Sequence, residues 1–486
     1  MASKGERLDR LAVLVGGTVR GDGSVRLTDV THDSRQAGPG CLFVAFPGAR
    51  ADGHAFVAEA VRAGSPAVAV EHPVPVEVPQ LVVADGRAAL GLLAAEVHGR
   101  PSERLAVVGV TGTNGKTSVT YLVESIARAA GLGTGVIGTV QTRVGDDPVP
   151  TLRTTPEASD FQRLLASMAD RGAEVVAAEV SSHALVLGRV EGTHFAVAAF
   201  TNLSRDHLDF HGDMESYYQA KARLFEPGRA GRTVVWIDDP AGARLAASLA
   251  TRPLTVAGEA WADVRGAVLD SDRSGSTLLL NLGGAPRRLR LPLPGSFSVA
   301  NALVAAGCGK ALGIAEDHIV AGLETATPVP GRFEVVSGDH PVLVVVDYAH
   351  TPAGITTTIA TARTLAAGRV IAVVGAGGDR DRDKRPLMGR AAAAADLVVV
   401  TSDNPRSEPP ESIADEVAAG LPAGAHRLRI LDRREAIRAA IGAAEAGDAV
   451  LVLGKGHERG QEVAGRILPF DDRLVAREEL AARAAL

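Results

Sequence analysis

Residues 109–118 read "GVTGTNGKTS", three glycines at even spacing ahead of a Lys–Thr pair. Glycines at 109, 112 and 115 would let the backbone fold tightly, so that the N–H groups of Gly112, Thr113, Asn114, Gly115 and Ser118 surround phosphate oxygens. Lys116 would neutralise β- and γ-phosphates and Thr117 would ligate Mg²⁺. The pattern is G-x-x-G-x-x-G-K-T and departs from the commoner G-x-x-x-x-G-K-T because Val110 stands where a glycine would. An ordinary Gly-rich turn with an exposed lysine is the alternative. It is disfavoured because the apolar run "LAVVGV" precedes the loop and a helical pattern, apolar at Val119, Leu122, Val123 and Ile126, follows it. The helix N-terminus adds partial positive charge. This chemistry is that of a nucleoside triphosphate, ATP or GTP, with the acceptor unspecified.

Two further stretches gather ionisable groups. "EVSSHAL" places Glu179 at the end of an apolar run, and "TNLSRDHLDFHG" packs Asp206, His207, Asp209 and His211 together before a helix carrying Lys221. A carboxylate and a histidine at neighbouring strand ends could hold a Mg²⁺ near a γ-phosphate, although magnesium prefers oxygen. On the residues alone His207 reads as a turn-capping histidine and Lys221 as a solvated lysine on a helix face. Late in the chain "GDRD" (378–381), "DNPR" (403–406) and "GKGHE" (454–458) each close an apolar run. At the C-terminal ends of parallel strands such loops converge on one crevice. Arg406 can fork onto a carboxylate, with Pro405 fixing its approach; Arg380 can bind a second carboxylate and Glu458 can accept from an ammonium. A surface turn with a structural salt bridge is the alternative for any one loop, and three together make it a poor account of all.

The elements that must position these groups fall into three segments, 1–104, 105–333 and 334–486. The first has short strands in "CLFVAF", "PAVAV" and "QLVV" and a helix that stops at Gly64. The second and third alternate apolar runs with helical patterns, as in a parallel sheet buried on both faces, with a more β-rich insertion near 255–295. The predicted class is α/β in three domains: a small N-terminal domain, a central P-loop sheet and a C-terminal Rossmann-like domain. With 486 residues the chain exceeds one core. A net charge of −6 without a basic block disfavours nucleic-acid binding. Two distant cysteines imply neither a disulfide framework nor a zinc site. No apolar run is long enough to span a bilayer and the N-terminus lacks a signal-type core, so a cytoplasmic protein without membrane contact is expected, as a monomer.

Taken together, "TGTNGKT", "EVSSHAL", "NLSRDHLDFHGDMESYYQAK", "SVANALVAA", "GRFE" and "DYAHTP" resemble, in order and over nearly the whole chain, the ATP-dependent Mur ligases of cell-wall precursor synthesis. "THDSRQAGPGCLFVAFPGARADGH", "LRTTPEA", "GDRD", "DNPR" and "GKGHE" resemble the branch that adds the third residue, diaminopimelate, to the D-Glu γ-carboxylate of UDP-MurNAc-L-Ala-D-Glu. The resemblance implies an acyl phosphate made with ATP and Mg²⁺, then attack by an amine. It implies Lys116, Lys221 and His207 as catalytic, Lys221 as a carbamate that ligates metal beside Thr117, Glu179 and His207, and Asn301, Arg332 and Asp347 at ATP. It further implies Ser34 at the uridine end, Thr154, Thr155, Ser181 and Arg189 at the muramoyl dipeptide, and Arg380, Asp403, Asn404, Pro405, Arg406, Gly454 and Glu458 at diaminopimelate. Leu187 departs, since a close relative carries Gln there. The meso isomer is the expected substrate, although both isomers carry the same charges. Competing readings are another Mur-type ligase, such as the one adding D-Ala-D-Ala, a folylpolyglutamate synthase, and, of a different class, a non-catalytic nucleotide switch or an amino-acid kinase.

Overall fold

A computed structural model describes residues 5–48, 51–150 and 153–484. Ala49, Arg50 and Leu152, which fall within two of the quoted motifs, lie outside the described residues. Three mixed sheets, each covered by helices, follow one another along the chain. The first has five strands in the order Thr18–Arg20, Gln80–Val82, Ala67–Val70, Cys41–Val44, Asp29–Thr31, parallel except at Thr18–Arg20. The central sheet has eleven strands, and Ala106–Thr111 lies between Val175–Glu179 and Phe195–Phe200, parallel to both. The third has six strands, with Leu343–Asp347, Ala449–Leu453, Val370–Val374 and Leu397–Val400 adjacent and parallel.

The central strands show why unbroken apolar runs become parallel strands. Successive side chains point to opposite faces. Val108, Val110 and Ala177 enter the core under the helices Lys116–Ala129 and Ser296–Ala311, while Val107, Val176 and Ala178 enter a second core with Phe161 and Leu165. Both faces are dry, so no alternation with polar residues survives. The helix Lys116–Ala129 buries Val119, Leu122, Val123 and Ile126, as the periodicity predicts, each worth about 1.5–3 kcal/mol of burial.

One expectation is corrected. Gly109 is not part of the phosphate-binding turn. It lies inside the strand Ala106–Thr111, and a Cβ there would sit 2.7 Å from the Phe195 ring, so its smallness serves sheet–side-chain packing. The β-rich stretch expected near 255–295 is present and is built into the central sheet. Val264–Asp272 joins the central sheet in parallel, and Gly275–Asn281 and Arg287–Leu291 extend it antiparallel. Leu278, Leu280, Leu289 and Leu291 face the same helices as the parallel strands, so one core absorbs them.

Candidate active site

Gly112 and Gly115 shape the phosphate loop. Gly112 has φ +145°, and a Cβ on it would lie 1.9 Å from Thr201 Oγ1; Gly115 has φ +88°, and a Cβ on it would lie 2.3 Å from Asn301 Oδ1. Both the left-handed backbone and the close approach therefore demand glycine. The "TNLSRDH" loop clasps this turn. Thr201 Oγ1 donates to Asn114 O (2.6 Å), Asn114 N donates to Asn202 Oδ1 (3.0 Å), Thr113 N donates to Asn202 O (2.8 Å) and Ser204 N donates to Thr113 Oγ1 (3.0 Å). Thr201 and Asn202 were not singled out from sequence. Their only signal is that they begin the loop that holds Asp206 and His207.

Thr113, Asn114, Gly115, Lys116, Thr117 and Ser118 line a cavity of about 420 Å³. Its wall also includes Asn301, Arg332, Asp347, Glu179, His207, Thr154 and Ser181. Gly112 lies behind it and offers its carbonyl to Lys116 Nζ (2.9 Å) and Lys221 Nζ (2.8 Å). Arg332 crosses from the junction of the second and third segments, donating to Thr117 Oγ1 (3.2 Å) and lying 4.3 Å over the Tyr348 ring. Burial raises the carboxyl pKa of Asp347, opposed by Arg332 and by hydrogen bonds from Phe333 N (2.6 Å), Thr358 Oγ1 and Ala349 N. Glu179, 1% exposed, accepts from Thr139 N (2.7 Å) and Thr139 Oγ1 (3.1 Å).

Lys221 is not a solvated lysine. It is 1% exposed, its Nζ lies 4.5 Å from the Tyr217 ring centroid, and Gly112 O is its hydrogen-bond acceptor. Burial, and then the Lys116 charge, hold its ammonium well below the usual lysine range, with Asp206 opposing. His207 adopts φ +54° and places Nε2 3.3 Å from Asp206 Oδ2. Thr155 is buried at 1% exposure; its hydroxyl donates to Glu179 O (2.8 Å) and accepts from Ser181 N (3.1 Å), which ties the strand end but leaves it away from the cavity. Arg189 is paired with Glu157 (2.9 Å), and Ser34 donates to Glu59 (3.2 Å) in the N-terminal segment. Neither lines the cavity. The Leu187 carbonyl accepts from Arg87 Nη1 (3.0 Å).

A second cavity of about 410 Å³ adjoins the first, sharing Asp206, His207, Tyr348 and His350. Arg380, Asp403, Asn404, Arg406, Gly454 and Glu458 line it, so the three late loops do meet. Pro405 does not line it; its carbonyl abuts Gly378, where a Cβ would come within 1.9 Å. Arg406 sits at φ +53° and is partly engaged. Its Nη1 donates to Gly378 O (2.6 Å) and its Nε lies 3.3 Å from Glu462, which leaves Nη2 without a partner among the described residues. Arg380 is exposed and has no ion pair among them. Cations Arg380, Lys384 and Arg406 thus share the walls with Asp209, Asp381, Asp403 and Glu458, a set suited to a ligand bearing charges of both signs.

Two groups central to this geometry, Lys455 and Arg385, were given no role from sequence, and a third, Asp206, was noted there without its partners from the third segment. Lys455, 0% exposed, donates to Asn404 Oδ1 (2.9 Å), Glu458 Oε2 (3.1 Å) and Gly460 O (2.7 Å), fixing two cavity residues. Arg385, with a fully buried side chain, holds Glu408 (2.7 Å) and Glu416 (2.7 Å), and Glu408 in turn accepts from Asp379 N (2.6 Å). Asp206 is 4% exposed and is approached by His207, by His350 Nε2 (3.7 Å) and by Lys384 Nζ (3.4 Å), the last two from the third segment. Burial alone would raise its pKa; His350, His207 and Lys384 hold it well below the carboxylate range.

Matches to known proteins follow the same division of the chain. The Mur ligase middle domain matches residues 110–309, the Mur ligase glutamate ligase domain 331–456 and the Mur ligase family catalytic domain 26–98. The UDP-N-acetylmuramoyl-L-alanyl-D-glutamate–2,6-diaminopimelate ligase of Streptomyces coelicolor is 45% identical over 96% of this chain and 94% of its own length. The ligase of that name from Geobacillus kaustophilus is 43% identical over 97% of this chain and 98% of its own. A solved structure of a ligase of the same name superposes with a TM-score of 0.72 at 32% identity, covering 99% of both chains. The resemblance read from the motifs therefore holds, and the chain belongs to the Mur ligase family.

Proposed function

We propose that this chain is the ATP-dependent ligase that joins diaminopimelate, the meso isomer by expectation, to the D-Glu γ-carboxylate of UDP-MurNAc-L-Ala-D-Glu. The observation that carries the reading is the pair of adjoining cavities. One is walled by the phosphate loop and the other by Arg380, Arg406 and Glu458, and they meet at Asp206, His207, Tyr348 and His350. A carboxylate activated in the first cavity is thereby presented to an amine held in the second.

The γ-carboxylate oxygen attacks the γ-phosphorus of ATP and ADP leaves. The amine of diaminopimelate then attacks the acyl carbon, loses a proton, and phosphate departs. Lys116 and the loop N–H groups stabilise the charge that spreads over the phosphoryl oxygens. Arg332 orients ATP from the segment junction. Arg406 Nη2 and Arg380 hold the distal carboxylate, and Glu458, fixed by Lys455, takes the distal ammonium. Thr154 and Ser181 face the dipeptide.

The donors suit magnesium in part. Thr117 Oγ1 and the Glu179 carboxylate are oxygen donors beside the phosphate loop, whereas His207 Nε2 is turned onto Asp206, and no group of three or more His, Cys, Asp or Glu that could hold a metal occurs among the described residues. Mg²⁺ bound by Thr117 and Glu179 would neutralise phosphate charge. The depressed pKa of Lys221 favours its free amine, the form that adds CO₂, which supports the carbamate reading.

We divide the chain into domains at 104 and 333 and propose that it works as a cytoplasmic monomer; no described helix is long and apolar enough to cross a membrane. Phosphate release is the test. It should require ATP, UDP-MurNAc-L-Ala-D-Glu and diaminopimelate together, and a tripeptide product should appear by mass. ATP hydrolysis needing neither co-substrate would point to a switch, and phosphoryl transfer without free phosphate to a kinase.

A further inference from the structure

A third cavity, of about 540 Å³, shares no residue with the two described above. It lies on the central sheet, between the strands Ala230–Trp236, Leu254–Ala257 and Val264–Asp272 and the helix Ser296–Ala311. Arg232, Arg252, Arg265 and Lys310 line it, against the single carboxylate of Asp263, so its walls carry a net charge of +3 in a chain of net −6. Asp263 is already committed. It pairs with Arg252 (2.7 Å) and accepts from Thr255 N (2.9 Å) and Thr255 Oγ1 (2.8 Å). Lys310 Nζ donates to Leu282 O, whereas Arg232 and Arg265 have no hydrogen-bond or ion-pair partner among the described residues.

The aromatic component is equally specific. Trp261 is 83% exposed at the rim, and the Arg265 guanidinium lies 3.9 Å from its ring centroid. A guanidinium stacked on one face braces the ring and leaves the other face open to a partner. Three surplus positive charges beside a braced aromatic face are the recognition elements of a phosphate ester that also carries an aromatic ring.

We propose that this cavity is a second, non-catalytic nucleotide site, with the base stacking on Trp261 and the phosphate held by Arg232, Arg265 and Lys310. The volume suits one small ligand. Four cations confined to one cavity are too few for a nucleic-acid track, which favours a mononucleotide over a polymer. Lys310 lies nine residues beyond Asn301 on the same helix, about 13 Å along its axis, so the two cavities are distinct.

The two tryptophans, Trp236 and Trp261, make the test direct. In a Trp236→Phe protein the remaining indole reports the site. AMP should quench it saturably with a Kd of about 0.1–1 mM, a range set by one stack and a few exposed ion pairs. Arg232→Glu should weaken binding at least ~10-fold, while Lys116→Ala, which disables the phosphate loop, should leave it unchanged. Equilibrium dialysis with ADP, which carries the β-phosphate that Lys116 meets, should count two sites per chain in the unmodified protein, of which one remains in Lys116→Ala. No saturation by about 10 mM, equal quenching in Arg232→Glu, or loss in Lys116→Ala would each overturn the assignment. Inorganic phosphate binding as tightly as AMP would overturn the stacking part.

Discussion

Asp206 and Lys384 offer a quantitative test of how the two working cavities are held together. The carboxylate belongs to the loop that clasps the phosphate turn, the ammonium to the helix Lys384–Ala392 of the third segment, and they lie 3.4 Å apart with side-chain exposures of 6% and 11%. At an effective dielectric near 20 the gross attraction is about 5 kcal/mol, from which desolvation of both groups must be subtracted. A net coupling of about 2 kcal/mol, roughly 30-fold, remains a fair expectation for a close and nearly buried pair. The perturbations are Asp206→Asn, which keeps the shape, and Lys384→Met, which keeps the stem. The assay is kcat/KM for diaminopimelate by phosphate release in wild type, both single variants and the double variant. Because Lys384 does not line the ATP cavity, Lys384→Met should leave ATP affinity within about threefold of wild type. The double variant should be about 30-fold better than the product of the single losses predicts. Additivity within about 0.5 kcal/mol would refute the idea that this pair clamps the third segment onto the phosphate loop.

Three more outcomes follow from the geometry. Arg406→Lys should raise KM for diaminopimelate by about 30–100-fold, since a lysine cannot supply Nη2 while keeping the Gly378 bond, and should spare ATP binding; equal damage to both ligands would sink the assignment. Lys221→Ala should lose activity and regain much of it with added formate or acetate, and absence of rescue at any concentration counts against a carbamate. Hydrogen bonding from Arg385 lowers the Glu408 pKa from an ordinary 4.5 to about 2. A carboxyl depressed on folding stabilises above its unfolded pKa and loses that contribution as pH falls through the folded value. The stability gap between wild type and Glu408→Gln, read from denaturant unfolding, should be full at neutral pH and close between 4.5 and 2. A gap that stays constant across that window would assign Glu408 another role.

The phosphate loop was legible because its chemistry is local: glycines, Lys116 and Thr117 are contiguous, and strand and helix signals flank them. That Arg380, Asp403, Asn404, Arg406, Gly454 and Glu458 share one cavity was legible for a related reason, as their loops each follow an apolar run and parallel strands bring such ends together. Lys221 was not, because a lysine on a short polar helix carries no sign of burial, and only the family resemblance pointed inward. Asp206 and Lys384 are 178 residues apart, so their pairing depends on how two sheets dock, which no local pattern encodes. The Thr155 hydroxyl donates to Glu179 O and accepts from Ser181 N, contacts between separate segments that its own motif does not announce. Gly109 was credited to the turn because a glycine's reason for being small is written in its neighbour, here Phe195, 86 residues away.

The central claim is that the cavity under Arg380 and Arg406 selects an amine that carries a second carboxylate. Competing diaminopimelate against lysine, with UDP-MurNAc-L-Ala-D-Glu and ATP saturating, measures that directly. A site whose cations await a carboxylate should prefer diaminopimelate in kcat/KM by at least about 100-fold, since lysine leaves those groups unpaired. Equal turnover of the two amines would contradict it.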